Sequence, residues 1–197
     1  MVIKTQRELE VENGYLTGQL LVATPQIQLS PFAKSVVYIC SHNALGAMGI
    51  IINEPVSNVD TREVLKDFNA DLDSSYFDFP LHFGGPVEKN RGFVLHSSDY
   101  SDDDTVGVGE GFGLTSNLAI LEAISEGEGP VAKLVTLGYA GWEAYQLEAE
   151  MEEDNGWFSV PATAQLIFGT PDADKWRCAC NSLGVDPFHI SNHAGHA

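Results

Sequence analysis

The chain has 197 residues, with 28 acidic and 10 basic side chains and a net charge of −18. That balance excludes a bare nucleic-acid clamp, which gains affinity by neutralising phosphates with clustered Lys and Arg, and it argues against docking on an anionic membrane. Hydrophobic content of 44% supports a sizeable core, no apolar run reaches the roughly 18 residues that span a bilayer, and the polar N-terminus lacks a signal-peptide core, so one soluble, cytoplasmic domain over 1–197 is expected. The charge is regional. Between Asp99 and Asp154 there are 14 acids and one base, Lys133. The three cysteines, Cys40, Cys178 and Cys180, have no framework spacing, so disulfides are not expected to hold the fold.

Residues 1–13 are charged and read as loosely held. An apolar stretch from Leu20 to Ala23 stops at Pro25. Residues 35–40 are β-branched and aromatic and predict a buried strand. A turn at His42-Asn43 and a second strand over Gly46–Asn53 complete a hairpin. Asp60 and Glu63 form a capping-box pattern for a helix through Phe68. Leu81–Phe83 and Arg91–His96 flank Gly84-Gly85-Pro86 as a strand–turn–strand unit. Glycines at 107, 109, 111 and 113 fall at every second position. This is not the phosphate-binding fingerprint. On one face of a strand they would let something pack closely. Ser116 caps a helix ending near Gly127. Residues 132–137 form a strand, 142–154 a helix, Trp157–Val160 a short extended piece and Ala164–Phe168 another strand. Asp172 caps a last helix ended by Gly184. This order of strands, hairpins and helices predicts an α/β, α+β-like, class with a mixed sheet.

Several segments in this order resemble the AlgH family, also called the YqgE family, over nearly the whole chain. They are residues 16–25, 35–43, 46–53, 84–87, 92–96, 137–142 and 146–148, with Trp157 and Gly195-His-Ala197. The resemblance implies a branched sheet that includes a small barrel, surrounded by helices. The family is labelled a transcriptional regulator through a link to alginate production. It implies no catalytic residue, and none is carried over.

The helix expected over 142–154 is the most informative segment. On its wheel Trp142, Tyr145 and Ala149 form one apolar side, and Ala144, Leu147 and Met151 form another. Glu143, Gln146 and Glu150 lie on an edge between them. Such a helix is sandwiched between two layers, one of which could belong to a partner. The simplest role for its acids is a solvated edge; the sharper one is a cleft in which Glu143 and Glu150 act as cation ligands or an acid/base pair. Glu152, Glu153 and Asp154 end it where the macrodipole is negative.

Cys40 and His42, two apart on a strand, should share a side. A Cys–His nucleophile needs that proximity, but Cys40 after Val-Val-Tyr-Ile reads more simply as a small buried hydrophobe. His96 ends a strand and is either hydrogen-bonded there or lines a ligand site. The Gly84–Pro86 turn needs φ > 0 or offers backbone amides to a ligand. His189, His193 and His196 would share a helix face and could bind Zn²⁺ or Ni²⁺ adventitiously. No carboxylate pair completes a site there, and no functional metal or cofactor is expected. The ligand-site candidates are therefore His42, Asn43, Asn53, Gly84, Gly85, His96, Gln146 and Glu150.

Two functional readings lead, and a third is a metal-binding or structural assembly component. The first is a binding or regulatory protein that acts through a protein partner or small ligand, with the acidic sector as its surface and no direct grip on nucleic acid. The second is a small-molecule enzyme with a site among His42, Asn53, Gly84–Pro86, His96 and Glu150.

Overall fold

A computed structural model describes residues 14–27, 31–57, 79–152 and 156–184. The expectations for residues 1–13, the Asp60 helix, Glu153, Asp154 and the C-terminal histidines lie outside these ranges.

Among the described residues there are nine strands: β1 Gln19–Ala23, β2 Val36–Asn43, β3 Gly46–Ile51, β4 Leu81–Phe83, β5 Val87–Ser97, β6 Val106–Gly107, β7 Phe112–Thr115, β8 Lys133–Glu143 and β9 Trp157–Pro161. They form one curled sheet, a half-barrel in which eight follow the order β6-β7-β5-β8-β3-β2-β1-β9 and β4 pairs with β8 off that path. The α-helices among the described residues are α1 Ala119–Glu126, α2 Gln146–Glu152 and α3 Asp172–Ser182. Among the described residues no helix is long and apolar enough to cross a membrane.

The central strands are covered on both faces. This is why residues 36–40 read as an unbroken apolar run rather than an alternating one. One face of β1–β3 packs with β5, β8, α3 and the turn before it, through Leu20, Tyr38, Ile50, Leu95, Ile167 and Cys180. The other packs Val37, Ile39, Ile51, Trp142 and Trp157 against Leu147 of α2. A third cluster seats Ile120, Leu121 and Ile124 of α1 on Leu81, Val94 and Val135.

The sheet branches at β8. Residues 135–137 pair with β5 on one edge and, in parallel, with β4 on the other. Residues 140–143 pair antiparallel with β3. β3 and β8 then diverge, and β4 fills the gap, bridged to Pro55 at His82. Leu81–Phe83 and Arg91–His96 are thus not a hairpin: β8 lies between them. Residues 84–86 carry the chain across β8, and the passage is close. A Cβ on Gly85 (φ 152°) would lie 2.1 Å from the Tyr139 carbonyl carbon, and one on Gly138 (φ 72°) would lie 2.4 Å from the Gly85 oxygen.

Other differences from expectation have local causes. β8 runs on to Glu143 because β3 pairs with it there, so Trp142 and Glu143 are strand residues and the helix is only Gln146–Glu152. Tyr145 takes φ 64° in the turn between them. His42 and Asn43 belong to β2, and the hairpin turns at 44–45. Gln165–Gly169 is a π-helical turn, not a strand; adjacent Leu166 and Ile167 are both buried there. The four alternate glycines do not share a strand, since β6 and β7 are separated by a turn. Gly109 passes the Tyr38 hydroxyl and Gly113 the His96 ring, while Gly107 and Gly111 face open space. Asn117 rather than Ser116 caps α1, accepting from Ile120 N–H at 3.2 Å. Asp172 is the first residue of α3, after Pro171.

Gly85→Ala should cost at least about 3 kcal/mol, because a backbone clash adds to left-handed strain. Gly107→Ala, in open space, should shift stability by less than about 0.5 kcal/mol. Denaturant midpoints of the two variants check this; equal midpoints would remove the crossing as a constraint.

Candidate functional site

Where residues 84–86 cross β8, the strands on either side cannot stay together. β5 and β8 are in register from Gly92↔Leu137 to His96↔Lys133, and again only at Val87↔Tyr139. Beyond Tyr139, β8 continues without β5. The gap is the mouth of an open groove of about 710 Å³. Its floor holds Met48, Phe93, Leu114 and Tyr139. Its rim carries Leu45, 87% exposed, Val106, 60% exposed, and Val87. Tyr145, 73% exposed, stands in the turn after Glu143. Clustered exposed hydrophobics of this size mark contact surfaces rather than ordinary surface. The charged side chains lining the groove are Glu88, Asp104, Glu143 and Arg91. Arg91 donates to Glu88 at 3.1 Å and Ser116 Oγ at 3.2 Å, and lies over the Phe93 ring. Three acids and a committed arginine make the rim acidic.

The eight residues singled out from sequence do not meet in one cavity. Asn43 lines the groove, where its Oδ1 accepts from Leu45 N–H at 2.8 Å and shapes the hairpin turn. Asn53 lies across the molecule, accepting from Val36 N–H at 2.7 Å and donating to Lys34 O at 2.9 Å. Gly84 and Gly85 make the crossing, with Gly84 N–H donating to Leu137 O. Glu150 joins three elements: Oε2 accepts from the indoles of Trp142 and Trp157, each at 2.9 Å, and Oε1 accepts from Gln146 Nε2. Gln146 Oε1 in turn accepts from Glu143 N–H, tying the start of α2 to the end of β8.

His42 and His96 are both buried. His42 Nδ1 accepts from Leu16 N–H at 3.1 Å, which leaves Nε2 to donate to Glu148 Oε1 at 3.2 Å. A β-bulge between Ile39 and Ser41 puts His42 beside Leu16, against the second core, whereas Cys40 lies in the first. The bulge breaks the alternation on which a Cys40–His42 dyad depends, and burial pushes the Cys40 thiol well above its usual range. His96 contacts Ser97 O through Nδ1 and Thr115 Oγ1 through Nε2, both at 2.9 Å. From Thr115 hydrogen bonds run on through Thr105 to Asp102. Burial would raise the Asp102 carboxyl, but donors on Asn117 and Thr105 outweigh it and hold it low.

One cluster escaped sequence reading. Asp172 accepts from His82 Nε2 at 3.1 Å and from Lys175 Nζ at 2.8 Å, and Lys175 also donates to Ile52 O at 2.6 Å. His82 and Lys175 are buried. The only hint was the Asp172–Lys175 spacing of three, and nothing marked His82. Burial alone would raise the Asp172 carboxyl; the two donors and their charge bring it down to about 2. Burial and the Asp172 charge push neighbouring Glu54 up. Glu54, Asp172, Asn53 and Trp176 line a smaller cleft of about 390 Å³. Among the described residues, no group of three His, Cys, Asp or Glu side chains could hold a metal ion.

Fold and groove together define a class: a curled, branched sheet, split beside its central strand, with helices around it. The chain belongs to the AlgH-like family, whose model matches residues 20–188. It is 45% identical over 194 residues to a UPF0301 protein of Nitrobacter hamburgensis, covering 94% of this chain and 89% of that one. It is 43% identical to a UPF0301 protein of Rhodospirillum rubrum, covering 96% and 98%. The solution structure of the AlgH protein from Pseudomonas aeruginosa matches with a TM-score of 0.76 and 37% identity over the whole of both chains. A crystal structure of a Corynebacterium diphtheriae protein, 22% identical, shares the fold with a TM-score of 0.67, over 85% of this chain and 86% of that one.

Asp172 makes an acid-stability prediction. Its folded value of about 2 lies below the ordinary 3.8. Its stabilisation is therefore present above pH ~4 and lost as pH falls through 4 towards 2, on the order of 2 kcal/mol. Chemical denaturation of wild type and Asp172→Asn across that range should show a flatter pH slope in the variant; parallel slopes would contradict the assignment.

Proposed function

We propose that this protein is a binding module whose groove takes a polypeptide segment carrying both aliphatic and basic side chains. The observation that carries this reading is the coincidence of exposed Leu45, Val87 and Val106 with an acidic rim around one groove. An apolar floor supplies affinity by burial, and the rim selects charge and speeds encounter. Any regulatory role then runs through a protein partner rather than through DNA gripped by a chain of net charge −18. The enzyme reading draws no support from its residues, since His42, Asn53, His96 and Glu150 are committed to separate structural hydrogen bonds.

A fluorescent octapeptide of alternating Leu and Lys is a suitable probe. It should bind saturably with a Kd below about 1 mM, and its Leu/Glu counterpart should not. Leu45→Asp or Val106→Asp, with circular dichroism unchanged, should weaken binding at least about tenfold. Equal binding of both peptides, or indifference to both substitutions, overturns the proposal.

A further inference from the structure

We infer that the groove holds its occupant by strand addition: an extended partner segment pairs with the open edge of β8 at Gly141. This rests on the reading of the groove as a peptide site and goes further by fixing the mode of recognition.

Backbone parity identifies the open edge. Ile52 N–H donates to Val36 O in β2, and Ile51 N–H points the other way, to Gly84 O. Backbone groups alternate along a strand, so in β3 the even-numbered residues face β2 and the odd-numbered ones face β8. Ala47 and Gly49 therefore bond across to their register partners, Trp142 and Ala140. Gly141 and Glu143 turn their N–H and C=O to the opposite edge of β8. Glu143 N–H is taken there by Gln146 Oε1 at 2.9 Å. Gly141 keeps both its groups on that edge, because β5 pairs no further than Tyr139. Among the described residues, no strand lies against that edge of β8 beyond Tyr139.

An unpaired edge is a template for another strand. This one presents the N–H and C=O of Gly141 and opens into the groove rather than onto bare surface. Gly141 is exposed, and a Cβ on it would sit 3.3 Å from the Tyr139 ring; glycine leaves the approach clear. A strand laid there directs alternate side chains to opposite faces. One set, on the face that Gly141 shares with Met48, Tyr139 and Glu143, falls on the groove floor. Aliphatic residues in that set, with basic ones between them, fit a groove that also carries Glu88 and Asp104.

Two modified forms of the Leu/Lys octapeptide test this, one N-methylated at every Leu amide and the other at every Lys amide. Slippage by two residues keeps parity, so the comparison survives register ambiguity. Strand addition predicts that one form loses at least about tenfold in affinity while the other stays within about threefold of the parent. Loss with both forms, or with neither, overturns strand addition while leaving a parent peptide bound in the groove. Failure of the unmodified peptide to bind overturns the groove reading itself. Concentration-dependent dimerisation that blocks the peptide assigns the edge to a second copy of the chain and overturns the proposal.

Discussion

The close passage of two backbones is the constraint on which this structure turns. Residues 84–86 must cross β8 to carry the chain from one of its edges to the other. They do so over Gly138–Ala140, with no room for a Cβ on Gly84, Gly85 or Gly138. The crossing lets β8 take β4 and β5 on opposite edges and hand over to β3 further on. It also ends the β5 pairing at Tyr139 and leaves the last four residues of β8 with one neighbour. The branch in the sheet and the mouth of the groove are thus two results of one steric requirement.

The buried polar side chains have a different logic. A sheet covered on both faces favours pairing of the polar groups that enter it, because an unpaired buried donor or acceptor costs about 1–3 kcal/mol; His82 Nδ1, buried without a partner, is an exception. His42, His96, Asn53 and Glu150 lie at strand ends or on the helix beside them, where each ties one element to another. Glu150 joins the indoles of β8 and β9 to α2. Asn53 clips β2 to the end of β3. The Asp172 carboxylate, held by His82 and Lys175, fixes the start of α3 beneath β4. Residue types that resemble catalytic machinery in a list serve here as fasteners.

The class of fold was legible because its signals are local. Apolar runs marked β1–β3, Pro25 marked the end of β1, and Gly127 marked the end of α1. The acidic character of the 99–154 region was legible too, and two of the acids on the groove rim, Asp104 and Glu143, come from it. What escaped was non-local. Residues 140–143 have the composition of a strand and the continuation of a helix, and only pairing with β3 decides between them. The β-bulge after Ile39, which separates Cys40 from His42, leaves no mark in the chain. The groove floor draws Met48, Phe93, Leu114 and Tyr139 from four strands, and no spacing rule joins them. His82 and Asp172 lie ninety residues apart, so their hydrogen bond could not be read from a motif.

β8 is paired on both edges at residues 135–137 and on one edge beyond Tyr139. Amide hydrogen exchange of the peptide-free protein tests it directly. Amides on residues 134–137 and on Trp142 should be strongly protected, while the Gly141 amide, flanked by them, should exchange at least about a hundredfold faster. Protection of Gly141 equal to that of its neighbours would mean that the edge is already closed, and would contradict the account.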